Sequence, residues 1–192
     1  MVSFSEGDHL VVRRKQSFNH HGIYVGGVKE EVVDYSGKET GKTIIRTRTL
    51  EEFSRGNKPW VFDYASLTNR ALLTFASLGT PYDGLMGPLP PEIIVIRALS
   101  QLEEDWYNPI ESNCEHFAHW CAIGASVCTQ TDGILGAFMP GGTNVEGKAI
   151  QFAHRENKFN YLLYLSRDRL NSETINFIKR NPFLRNYVYY DS

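Results

Sequence analysis

This chain of 192 residues has no CxxC pair, only three cysteines, no long apolar run and no surplus of basic charge. Each absence excludes something. Three cysteines, an odd number with no close pair, do not make a disulfide framework and fit a reducing compartment. A membrane span needs roughly 18 apolar residues in succession; the most apolar tract here, ILGAFM at 134–139, is far shorter and lies among Gly and Pro. No transmembrane anchor is therefore expected. The net charge of −2 gives no reason to expect a nucleic acid partner, because that binding depends on Lys and Arg neutralising phosphates. The opening MVSFSEGDHL has no basic segment followed by an apolar one, so no secretory leader is expected and the expected setting is cytoplasmic. The glycine-rich GILGAFMPGGTNVEG (133–147) lacks the Gly-Lys-Ser/Thr of a phosphate loop, so no nucleotide is implied.

What is present is an ordinary globular composition, 42% hydrophobic and 22% charged, in a chain long enough for a real core. DHLVVRRK (8–15), HHGIYVGG (20–27) and KEEVVDYSG (29–37) are β-branched runs bounded by glycines or a short turn, which predicts three strands joined as hairpins. TLEEFSRG (49–56) opens with Thr-x-x-Glu and closes with Gly, predicting a short capped helix. PWVFDY (59–64) predicts another strand. Helical spacing follows at 67–79 and again at 92–106, separated by a Pro- and Gly-rich loop at 80–91. Residues 129–150 are expected to be loop. Residues 151–192 are a C-terminal appendage whose role the residues do not indicate. The expected class is α+β, an antiparallel sheet packed against helices.

Chemistry is concentrated in SNCEHFAHWC (112–121). Ser112 and Glu115 have the spacing of a capping box, which would make Ser112 the N-cap and place Cys114 in the first turn. Free N–H groups and the positive end of a helix stabilise a thiolate there. Cys121 and Cys128 follow at seven-residue steps and are expected on one buried helix face with Ala118 and Ala125. Position thus separates Cys114, a candidate nucleophile, from two small apolar fillers. A nucleophilic thiol needs a base and the base needs an orienting partner. Alternation on the second strand puts His20, Gly22 and Tyr24 on one face and His21, Ile23 and Val25 on the other. Either histidine is a candidate, but not both. Asp34 interrupts the apolar run VVDY, and beside an imidazole it would have a partner and would fix that ring's orientation. Tyr24 shares the face of His20 and is a candidate for substrate contact, with a core role as the alternative. His116 and His119 raise the question of zinc, but they and Cys114 do not share a helix face, so no metal is expected.

HHGIYVGG, VVDYSG and SNCEHFAHWC, in that order, resemble the H-box and NC-box of the lecithin retinol acyltransferase-like family, a circularly permuted relative of the NlpC-type papain-like peptidases. GDHLVVRR and PLPPEIIVIRALSQL add to the likeness, which covers roughly residues 7–128. The family pattern His-x-Gly/Ala-Ile-Tyr falls on His20, so the resemblance implies His20 as general base, Cys114 as nucleophile and a cysteine acyl-enzyme formed without a cofactor. It implies an acyl-bearing substrate, phospholipid among the choices. Hydrolysis of peptides or amides, as in the NlpC-type relatives, is the enzymatic alternative, and an inactive binding module the other. The chain departs from the pattern in two places. Asp34 stands where the family usually has a second histidine, and is expected to orient His20. Residues 65–87 read as an insertion in a catalytic domain spanning 1–150. Exposed aromatic and basic residues near the C-terminus would suit a peripheral membrane encounter; the oligomeric state is not legible.

Overall fold

A computed structural model describes residues 3–14, 18–37, 41–66, 68–69, 88–105, 107–108, 112–124, 128, 163–165, 171–182 and 188–190. The expectations for 70–87 and 129–150 lie outside these. Five antiparallel strands form an open sheet in the order β4-β3-β2-β1-β5: β1 (His9–Arg13), β2 (Asn19–Gly26), β3 (Glu31–Gly37), β4 (Thr43–Thr49) and β5 (Trp60–Val61). Among the described residues the helices α1 (Leu50–Ser54), α2 (Pro91–Ser100), α3 (Cys114–Ile123) and α4 (Ser172–Arg180) accompany them. A two-stranded parallel ladder joins β6 (Leu163–Leu165) to β7 (Val188–Tyr190). The class is α+β, as the sequence implies.

The sheet separates two cores. On one face Ile23, Val33, Tyr35 and Ile45 pack against α2 and α3. Ile93 to Leu99 of α2 are buried on every side, with Pro91 starting the helix where its missing N–H costs nothing. Phe177 of α4 joins this core, and Asn171, the N-cap of α4, donates its side-chain N–H to the Leu99 carbonyl at 2.7 Å. On the other face Leu10, Val12, Tyr24 and Val32 enclose Phe53 of α1. Gly22 is required here by close approach: a Cβ on it would lie 2.8 Å from Val32 Cγ1 and 3.0 Å from the Phe53 ring. The Gly two residues after His20 therefore lets α1 lie close against the sheet.

Several boundaries differ from the sequence expectation, each for a local reason. Thr43–Thr49 is a full strand that the sequence reading passes over, although its Thr and Ile content suits a pleated surface. The helix expected over 92–106 stops at Ser100, because the following chain turns to pair with the β4 backbone: Ile45 N–H donates to the Glu104 carbonyl and Glu103 N–H to that of Ile45. The strand expected over 59–64 is regular only at Trp60–Val61. The capped helix at Thr49 forms with its box complete, Glu52 N–H donating to Thr49 Oγ1 and Thr49 N–H to Glu52.

Candidate active site

The helix carrying the cysteine is capped one residue later than the spacing suggests. Asn113, not Ser112, is the N-cap of α3; its side-chain oxygen accepts from the N–H groups of Glu115 at 2.9 Å and His116 at 3.1 Å. His116 returns the contact, its Nδ1 accepting from Asn113 N–H. Cys114 is consequently the first helical residue, half-buried, and its own N–H has no acceptor among the described residues. Glu115, expected to cap, is instead fully buried. The helix ends at Gly124 in the left-handed region, so Cys128 is not on the helix face with Cys121. It is buried beyond the helix, its thiol donating to Glu115 at 3.0 Å.

Cys114 lies near enough to His20 to act on the ring and help raise its proton affinity. The ring's Nε2 donates to Asp34 Oδ2 at 2.5 Å, leaving Nδ1 as the ring nitrogen for the sulfur. Register explains the meeting of His20 and Asp34: Gly22 pairs with Asp34 across β2 and β3, so the carboxylate and His20 share a face with no side chain between. Arg48 completes the group. On β4 it lies opposite Val32 on that same face, donates through Nε to Asp34 Oδ1 at 2.9 Å and makes a second bond through Nη2 to Oδ2. Nη1 reaches the Glu52 carbonyl at the end of α1. Burial alone would raise the Asp34 carboxyl, but His20 and Arg48 outweigh it and hold it below its ordinary value. Burial likewise opposes a charged His20; the hydrogen bonds and negative charges of Asp34 and Cys114 reverse that and raise it to about 9. A thiol beside an imidazole that a carboxylate holds in place is an arrangement suited to nucleophilic attack.

The family model described as lecithin retinol acyltransferase matches residues 2–127. The chain belongs to the lecithin retinol acyltransferase family. No curated protein matches it. Membership makes acyl transfer or hydrolysis, in the broad sense, the chemistry that the site has to account for. Among the described residues no helix is long and apolar enough to cross a membrane.

Of the residues singled out in the sequence, Cys114, His20 and Asp34 come together and Tyr24 does not. Tyr24 is buried against Phe4 and the small core beneath α1. Arg48 was missed, along with its strand; a basic residue alternating within TIIRTRT, just before the Thr49 cap, was the available signal. Also unforeseen is a buried chain on the opposite face. His21 Nδ1 meets His9 Nε2 at 2.8 Å, His9 Nδ1 meets the Tyr64 hydroxyl at 2.8 Å, and that hydroxyl meets His119 Nδ1 at 2.9 Å. His119 Nε2 faces Glu115 at 3.5 Å. With neutral rings one tautomer set satisfies the chain, every bond donating toward the carboxylate: His21 Nδ1–H to His9, His9 Nδ1–H to the Tyr64 oxygen, and the Tyr64 hydroxyl to His119 Nδ1, which leaves the His119 Nε2–H facing Glu115. His119, considered for zinc in the sequence, is spent in this chain.

Burial lowers His21 to about 3, and lowers His9 well below 6.5 with the charges of neighbouring histidines adding to it. Unfolded, both rings take up protons near 6.5, so below that pH the unfolded state binds more protons and the fold loses stability. His20 has the opposite sign: its contribution is complete below 6.5 and fades as pH rises through about 9. Urea unfolding followed by circular dichroism is expected to show stability falling by about 2 kcal/mol or more between pH 7 and pH 5. A flat profile over that range would contradict neutral buried histidines.

Proposed function

We propose that this protein is a cysteine-dependent acyltransferase or hydrolase acting on lipid ester or amide acyl groups. The observation that supports it best is the grouping of Cys114, at the start of α3, with His20 and the Asp34 that hydrogen-bonds it, in a chain whose family is defined by an enzyme that moves acyl groups. The Cys114 sulfur attacks the carbonyl carbon while its proton resides on His20. A carbon–sulfur bond forms, the carbon–oxygen or carbon–nitrogen bond breaks, and His20 returns the proton to the leaving alcohol or amine. Water or an acceptor alcohol or amine then cleaves the thioester, with His20 again taking the proton. The oxyanion formed in each step is met by the Cys114 N–H, which the Asn113 cap leaves uncommitted among the described residues.

Asp34 in place of the family's usual second histidine is consistent with this chemistry. A carboxylate accepts from His20 and from both Arg48 donors at once, whereas a neutral imidazole has a single acceptor nitrogen. The departure and Arg48 belong together.

The test is a search for the acyl-enzyme. Incubated with short-chain phosphatidylcholine and, separately, with peptide amides, the protein is expected to gain an acyl mass on the Cys114 peptide from the lipid. Neutral hydroxylamine should remove it, and Cys114→Ser should never acquire it. Acylation only by the peptide panel would transfer the reading to a peptidase. No adduct from either donor would overturn it.

A further inference from the structure

Beside His20 the surface opens into a cleft of about 670 Å³. Its wall carries Arg14, Arg48 and Arg55 together with Asn57 and Tyr107, and no carboxylate among the described residues. Three guanidinium groups in one recess call for an account of their charges. Arg48 has one: Asp34 neutralises it. Arg14 does not, since its partners are the uncharged carbonyls of Phe53 and Ser54 at the end of α1, at 2.5 and 3.2 Å. Those bonds fix the guanidinium in place and bring no opposite charge to it. Arg55 closes α1 in the left-handed conformation, is exposed, and makes no ion pair among the described residues.

Two acids among the described residues are otherwise engaged. Asp34 serves His20 and Arg48, and Glu52 accepts from the N–H and hydroxyl of Thr49. Mutual repulsion of the cations is felt at Arg14, which burial first, and then the charges of Arg55 and Arg48, hold below the usual guanidinium value, the opposing charges of Asp34 and Cys114 offsetting them only in part. A recess with a positive field concentrates anions, and the planar guanidinium fork matches the oxygens of phosphate and carboxylate.

We propose that Arg14 and Arg55 form an anion subsite of the cleft, and that the preferred acyl donor carries a phosphate or carboxylate which docks there while its carbonyl lies at Cys114. This names the substrate class of the reaction proposed above and rests on the reactivity of Cys114. Arg14, held by α1, orients the anion; Arg55, free at the rim, closes on it.

The probe that isolates the subsite is a pair of thiol reagents differing in charge. The rate of Cys114 alkylation by iodoacetate, divided by that by iodoacetamide, is measured by peptide mass in wild type, Arg55→Gln and Arg55→Glu. The ratio is expected to fall roughly fivefold in Arg55→Gln, further in Arg55→Glu, and to shrink in wild type as salt is raised. Lys179→Gln, a change of the same charge on α4, is the control and should leave the ratio alone. An unchanged ratio in both Arg55 variants overturns the subsite while leaving the thiol chemistry intact. A Cys114 that neither reagent modifies removes the parent reading instead. Two donor pairs then separate the sources of the anion. Phosphatidylglycerol against phosphatidylcholine in neutral detergent micelles tests a headgroup phosphate, and an acyloxybenzoate against its methyl ester tests a soluble carboxylate. A preference for the anionic member that collapses in Arg55→Gln supports the proposal and names the source. Equal rates within both pairs would overturn it.

Discussion

Asp34→Asn is expected to slow acylation of Cys114 by about a hundredfold to ten-thousandfold, the range spanned by losing a correctly oriented base. The reason lies in what each oxygen of Asp34 does. Oδ1 accepts from Arg48 Nε, and Oδ2 from both His20 Nε2 and Arg48 Nη2. An amide has one oxygen for these two positions. Placed at Oδ2, it turns its NH2 against the Nε–H of Arg48, a donor facing a donor. Placed at Oδ1, it turns the NH2 toward His20 Nε2, which then has to accept. The ring proton moves to Nδ1, the nitrogen that the sulfur needs as a base. Either choice is costly, and the second disables the base outright. Single-turnover acylation with an activated ester, at pH 7 and with folding checked by circular dichroism, measures the effect. A loss of less than tenfold would mean that Asp34 does not set the His20 tautomer.

Asp34→Ala is expected to act on the fold as well, lowering unfolding stability by roughly 3–5 kcal/mol at pH 7. Asp34 is fully buried and Arg48 nearly so. Removing the carboxylate strands a guanidinium in the interior with an imidazole beside it, and an uncompensated buried charge is far more costly than the pair it came from. The converse change, Arg48→Met, leaves Asp34 with His20 as a charged partner and should be the milder. A double variant, Asp34→Ala with Arg48→Met, removes both charges and should recover much of the stability without recovering activity. Urea unfolding of the four proteins forms the cycle. Equal losses in the two single variants, adding in the double, would show that the charges are not coupled.

Much of this molecule was readable from local chemistry. The three N-terminal strands announce themselves through β-branched runs and glycine boundaries, and α1 through a complete capping box. Cys114 and His20 stand in strings that carry a family likeness. The misses have a common cause, which is that long-range partners decide them. Ser112 and Asn113 are both good caps in isolation, and only the buried position of Glu115 beside His119 and Cys128 shows that this glutamate faces inward rather than back to Ser112. The end of α2 depends on a backbone pairing with Ile45, more than fifty residues earlier. Arg48 stands in a strand that its local pattern did not announce, and only the register across β3 places it beside Asp34.

His20 and His21 are neighbours in the chain, yet their surroundings drive them apart: the hydrogen bonds and charges of Asp34 and Cys114 raise one to about 9, and burial lowers the other to about 3. The pleat of β2 alone divides them, sending one toward a carboxylate and a thiol and the other toward a dry row of aromatic rings. A slip of one residue in the pairing of β2 would exchange them. His21 would then sit against Asp34, while His20 would carry its charge into the interior where His9 and Tyr64 now lie. Such a molecule fails on both faces at once, since the proton-hungry site and the proton-excluding core are set by the same alignment. The paired histidines thereby act as a quality check on assembly: a copy of this chain folded well enough to persist is also one with the correct ring beside its cysteine.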